Sequence, residues 1–137
     1  MDELQHWLAL EHEAVWQYGL IGGRFDDLRD HAEAAWQEHR AARDHLSEVI
    51  SSGGQRPVGP AMSYGAPAPT AAQARAAARD LEQRVAAAAL AALPASAERS
   101  GRRFAVSRVR AAARAAITWG DQAQAFPGLV SSRRSGR

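Results

Sequence analysis

The chain has 137 residues, enough for one domain with one core, and its 46% hydrophobic and 23% charged residues are those of a globular protein. It has no cysteine, which excludes disulfides and thiolate metal sites. The net charge of +2 hides an uneven layout: residues 1–50 hold 11 acids and 4 arginines, a balance of −7, while residues 51–137 hold 4 acids and 13 arginines, a balance of +9.

No run of 18 apolar residues exists, so no membrane span is expected. The opening "MDELQHW" is acidic and polar, unlike the basic and then apolar start of a signal peptide. The expected location is cytoplasmic. All 17 basic residues are arginine. With the abundant alanine, this reads as high-GC coding bias and weakens any argument that one arginine was chosen for its fork geometry.

A first helix is expected from Asp2 to Ile21, with Asp2 and Glu3 at its positive end and Gly22-Gly23 as its stop. Its core stripe reads Leu4, Leu8, Glu11, Val15, Tyr18, extended by Trp7. A carboxylate thus stands where an oily side chain belongs. A second helix, Asp26 to Ile50, stops at Ser51-Ser52-Gly53-Gly54. Its stripe is Leu28, Ala32, Ala35, His39, Ala42, Leu46, Val49, again with one polar intruder. A hairpin folded near residues 23–26 sets Glu11 and His39 at one level, facing each other. A buried carboxylate is costly alone and much less so when paired.

The link from Ser52 to Pro69 carries Gly53, Gly54, Pro57, Gly59, Pro60, Gly65, Pro67 and Pro69. Extended, it reaches roughly 60 Å, against roughly 30–40 Å for the helices. It can therefore run the length of a bundle. A third helix opens at the capping box Thr70-x-x-Gln73 and ends near Leu93, before Pro94. Glu82 stands beside its stripe of Ala78, Leu81, Val85 and Ala89. A fourth helix runs from after Ser96 to about Ala123. It carries Arg99, Arg102, Arg103, Arg108, Arg110 and Arg114, small alanines that permit close packing, and no Glu or His after Glu98.

The apolar periods are helical throughout and no strand pattern competes. Short, long, short connections describe two antiparallel hairpins joined by a crossover. The expected fold is an all-α, ferritin-like four-helix bundle over residues 1–129, followed by a flexible basic tail, 130–137.

The segments "LALEHEAVWQYGLIGGR", "EHRAARDHL", "RPVGPAMSYGAPAPT", "DLEQRVAAA" and "AFPG" occur in that order over about residues 3–129. In this combination the chain resembles a ferritin-like domain family of unknown function from high-GC bacteria. The resemblance implies a four-helix ferritin-like bundle, a homodimer, and no established activity. The wider superfamily places a Glu on helix 1, Glu-x-x-His on helix 2, a Glu on helix 3 and Glu-x-x-His on helix 4. Glu11 matches the first position and Glu82 the third-helix one. Leu28, Trp36 and Ala42 precede His31, His39 and His45 by three, so helix 2 has no Glu-x-x-His, and helix 4 has no ligand at all. A standard dinuclear site is therefore not expected. Arg108 or Arg43 could supply the missing positive charge, giving a buried polar network of Glu11, His39, Arg43, Glu82 and Arg108.

The leading reading is a degenerate ferritin-like bundle with a structural or interaction role, without catalytic residues or a resident cofactor. The main alternative is an iron- or manganese-binding oxidoreductase or storage protein with ligands Glu11, His39 and Glu82. A second alternative is nucleic-acid binding through the helix 4 arginines with Arg133, Arg134 and Arg137. Against it stands the expectation that the acidic hairpin packs beside the basic one and balances it. His12, His31 and His45 are read as partly exposed histidines. Trp16 and Trp36 are weighed between an oligomer interface and packing under the crossover, where Tyr64 lays its ring on the bundle. Phe126-Pro127-Gly128 is read as the packed end of helix 4.

Overall fold

The computed structural model describes residues 2–94, 96 and 98–120. They form α1 (Glu3–Arg24), α2 (Arg29–Ser52), α3 (Ala71–Ala92) and α4 (Arg99–Thr118), with a short 3-10 turn at Asp26–Leu28 between the first two and no strand among the described residues. Helix 4 does not run on to about Ala123: it ends at Thr118, with Trp119 as its C-cap and Gly120 at φ 108°, the left-handed conformation that stops a helix. The turn Phe126-Pro127-Gly128 and the tail 130–137 lie outside the described residues.

Asp2 caps α1 through a 2.9 Å bond from the Gln5 amide. The helix does not stop at Gly22-Gly23. It continues to Arg24 and ends where Phe25 turns extended, at φ −125° and ψ 100°. Neither glycine takes a positive φ. A Cβ on Gly22 would meet Ala32 Cβ of α2 at 3.5 Å, an ordinary van der Waals contact. A Cβ on Gly23 would meet nothing within 4 Å. Gly23→Ala should therefore stabilise the fold by roughly 0.5–1 kcal/mol, read as a raised urea midpoint at unchanged slope.

The end of α2 does use a left-handed glycine. Gly54 sits at φ 83°, and the Gln55 amide reaches the Ile50 carbonyl at 3.1 Å. The Thr70 hydroxyl caps α3, accepting from the Gln73 amide at 3.2 Å and donating to Gln73 Oε1 at 3.0 Å.

Helix α1 packs on both α2 and α3, and α4 packs on α3. The core joins Leu8, Ala14, Tyr18 and Ile21 to Leu46, Ile50, Leu81 and Val85. Two positions differ from the expected stripes. Ala14 is buried where Val15 is half-buried, and Ile50 is buried while Val49 is 40% exposed. In α1 the inward position comes one residue earlier than expected and in α2 one residue later, because 3.6 residues per turn leaves the order of three- and four-residue steps open. Alanines 74, 78, 88, 89 and 92 of α3 and 105, 112 and 116 of α4 are all buried, so small residues carry the second hairpin. Beside Leu81 and Val85, its bulk comes from Phe104, stacked on Trp7 at 5.3 Å, and from Trp119, stacked on Tyr18 at 5.6 Å.

The crossover, residues 53–70, is tied to α1. Gln5 donates to the Arg56 carbonyl at 2.8 Å and accepts from the Val58 amide at 2.8 Å. His12 Nε2 bonds the Val58 carbonyl at 2.9 Å. Tyr64 lies on Trp16 with centroids 5.3 Å apart, which favours the packing reading of Trp16. Gln5→Ala should cost about 1–2 kcal/mol. It should also speed hydrogen exchange at the Val58 amide, while exchange within the buried part of α3 slows or speeds only with global stability.

Candidate functional site

The three polar side chains that interrupt the apolar stripes come together. Glu11 of α1, His39 of α2 and Glu82 of α3 are 0%, 1% and 1% exposed. His39 Nδ1 lies 2.5 Å from Glu11 Oε2, and His39 Nε2 lies 2.7 Å from Glu82 Oε1. The imidazole thus bridges the two carboxylates, using both ring nitrogens.

Two further donors complete the cluster. Trp7 Nε1 donates to Glu11 Oε1 at 2.8 Å, one helical turn away. The Tyr18 hydroxyl donates to Glu82 Oε1 at 2.5 Å. The Tyr18 ring also stacks on His39 at 5.4 Å. Trp7 and Tyr18 were placed in the core from their spacing alone. Their role as donors was signalled only by their polar tips on the same stripe as Glu11.

The proton count follows from the geometry. An ionised carboxylate only accepts, and a neutral imidazole has one N–H. Two ionised carboxylates and a neutral imidazole are one proton short of satisfying both contacts, and the hydrogen bonds and charges of Glu11 and Glu82 favour its place on the ring, as a bridging imidazolium. Burial pulls the His39 pKa down. The hydrogen bonds to Glu11 and Glu82, and then their charges, outweigh it and raise the pKa to about 9. Burial first, and then the charge and hydrogen bond of Glu82, push the Tyr18 phenol far above its ordinary value, so it stays a donor.

The two arginines expected here are elsewhere. Arg43 is partly exposed and bonds its neighbour Asp44 at 2.8–2.9 Å. The inward position of that turn belongs to Ala42. Arg108 has a side chain only 13% exposed, with Nη2 4.0 Å from Glu38. Its buried Nε has no hydrogen-bond partner among the described residues. Neither arginine bonds the cluster, because His39 itself carries the positive charge.

The other histidines stay outside. His12 holds the crossover. His31 and His45 are exposed, lying beside the rings of Trp119 and Phe104 at 6.1 and 4.1 Å. Trp36 sits under the Arg40 guanidinium at 4.4 Å. Surface cavities accompany the bundle, among them one of about 290 Å³ between the start of α1 and the end of α2, and two more along the helices. One, of about 180 Å³, lies between α1, α3 and the crossover. The other, of about 170 Å³, lies between α2 and α4. Neither is lined by Glu11, His39 or Glu82.

A protein-family model described as Domain of unknown function (DUF4439) matches residues 3–131. The chain belongs to this family. One similar solved structure is that of a conserved hypothetical protein, rv2844, from Mycobacterium tuberculosis. It shares 25% identity over 85% of this chain and 91% of its own, with a TM-score of 0.79. No curated protein matches the chain. Membership in this family brings no established function, so the cluster is read from its own chemistry.

Proposed function

We propose that this chain is a ferritin-like bundle in which a protonated histidine has replaced the metal centre, and that it acts as a structural or interaction module rather than a redox enzyme. Support for the ferritin-like assignment comes from the short, long, short connectivity and from Glu11 and Glu82 on the first and third helices. The observation that carries the degenerate reading is the double engagement of His39, at 2.5 and 2.7 Å.

A dinuclear iron or manganese centre needs carboxylates that bridge two hard cations. The residues present do not fit that group. Both imidazole nitrogens are committed to carboxylates, so neither offers a free lone pair. Phe104 of α4 and Trp119 just beyond it stack on the donors Trp7 and Tyr18, and α4 supplies no carboxylate or histidine from Arg99 to Thr118. Among the described residues no group of three or more His, Asp or Glu side chains is arranged to hold a metal ion. The imidazolium supplies the positive charge that a cation would otherwise bring.

Metal content tests this reading. Protein purified without a histidine tag, exposed to Fe(II) or Mn(II) under anaerobic conditions and desalted, should retain far less than one equivalent. Retention near one equivalent that disappears in Glu11→Ala would overturn the proposal in favour of the metal-binding alternative.

A further inference from the structure

We infer that α4 presents a binding surface for the phosphate backbone of duplex nucleic acid. Arg99, Arg103, Arg110 and Arg114 are all exposed. At about 100° per residue they fall within a roughly 60° arc, and they extend over roughly 22 Å of helix. That arc points away from the buried Ala105, Ala112 and Ala116. No carboxylate stands within ion-pair distance of these four among the described residues, and the α2–α4 ion pair there is Arg108–Glu38, at 4.0 Å. The expectation that the acidic hairpin neutralises the basic one is therefore not met at these positions.

The arrangement has a cost to the helix. Arg99 with Arg103, and Arg110 with Arg114, are like-charge pairs at i,i+4, each unfavourable by a few tenths of a kcal/mol. Arg99, Arg102 and Arg103 also crowd the positive end of the helix, where cations are disfavoured. Glu98 stands at the N-cap, but from Arg99 to Thr118 there is no acid beside Arg103, Arg110 and Arg114, whose repulsion a polyanion would relieve.

The chemistry favours a duplex over other polyanions. The stripe is straight and rigid, as repeated phosphates require. It contains no aromatic side chain: Val106, Ser107 and Ala113 lie between and beside the arginines, so there is no stacking platform for unpaired bases. A lipid surface would want apolar anchors, and α4 exposes only Val106 and Ile117, at 38% and 48%. Base edges are not addressed, so binding should be independent of sequence.

The test is fluorescence anisotropy of a labelled duplex of about 20 base pairs with the full chain, across salt. Four phosphate contacts predict a contribution of about −3.6 to the slope of log K against log salt, or about a 100-fold loss between about 50 and 200 mM. The variant with all four arginines changed to glutamine should lose that contribution whatever the tail adds. Its thermal melt should match or slightly exceed the parent's, because the side chains are exposed and the like-charge pairs are gone. Single changes Arg103→Gln and Arg110→Gln should each lower the slope by about 0.9 and serve if the fourfold variant does not fold. The inference fails if the parent does not bind at about 50 mM salt, or if the variants keep the parent's slope. It also fails if poly-glutamate, phosphatidylglycerol vesicles or a second copy of the chain binds as tightly as the duplex.

Discussion

His39→Ala should destabilise the protein by about 3–5 kcal/mol, measured by urea denaturation near neutral pH. The change deletes the shared donor and leaves Glu11 and Glu82 facing a void, with only Trp7 and Tyr18 still donating to them. A loss of that size approaches the whole stability of many domains. His39→Gln can donate to one carboxylate but not to both, so its loss should be intermediate. Replacing the cluster as a unit separates a missing partner from a missing residue. Glu11→Leu, His39→Leu and Glu82→Leu combined with Tyr18→Phe should recover much of the stability, since buried ionic groups exchanged together for apolar ones are often neutral or better. A His39→Ala loss below about 1 kcal/mol would mean that the contacts do not hold the fold.

Stability should also fall as the pH rises from about 6.5 to about 9. In the folded state the His39 pKa is raised to about 9 from the ordinary 6.5 of a histidine. Below the unfolded value both states carry the proton and the contribution is complete. Between the two values the folded state keeps a proton that the unfolded chain has released, so each pH unit removes about 1.4 kcal/mol. The total is about 3 kcal/mol, gone once the pH passes the folded value. Urea midpoints taken through this window should decline steadily in the parent and stay level in His39→Leu. Equal profiles in the two proteins would contradict the bridging imidazolium.

Much of this was legible in the sequence because the intruders were single. One carboxylate in the α1 stripe and one imidazole in the α2 stripe stand out against alanine and leucine, and the hairpin register set them face to face. Glu82 was visible as a carboxylate beside an apolar row. The roles of Trp7 and Tyr18 were not, because an aromatic at a core position reads as packing whether or not its polar tip is used. The sequence offers Arg43 and Arg108 as sources of the positive charge that an absent metal would have brought. Pairing with two carboxylates charges the histidine and removes the need for them.

The helix ends show a similar division. Thr70 and Asp2 cap by local hydrogen bonds, which a sequence can specify. Gly22-Gly23 resembled a stop, yet α1 runs through both with helical φ and ends only where Phe25 turns extended. The charge split between the halves was plain from the start. Its consequence depended on which way the α4 arginines point, and that required the packing of Ala105, Ala112 and Ala116.

The central claim is that His39 carries two protons between two carboxylates. Nitrogen-15 NMR of the His39 ring, followed from about pH 6 to pH 10, reads it most directly. The account predicts that both ring nitrogens are protonated and hydrogen-bonded at neutral pH, with the second proton lost only near pH 9. A neutral His39 tautomer at pH 7.5, with one bare nitrogen, would contradict it and return that nitrogen to the list of available metal ligands.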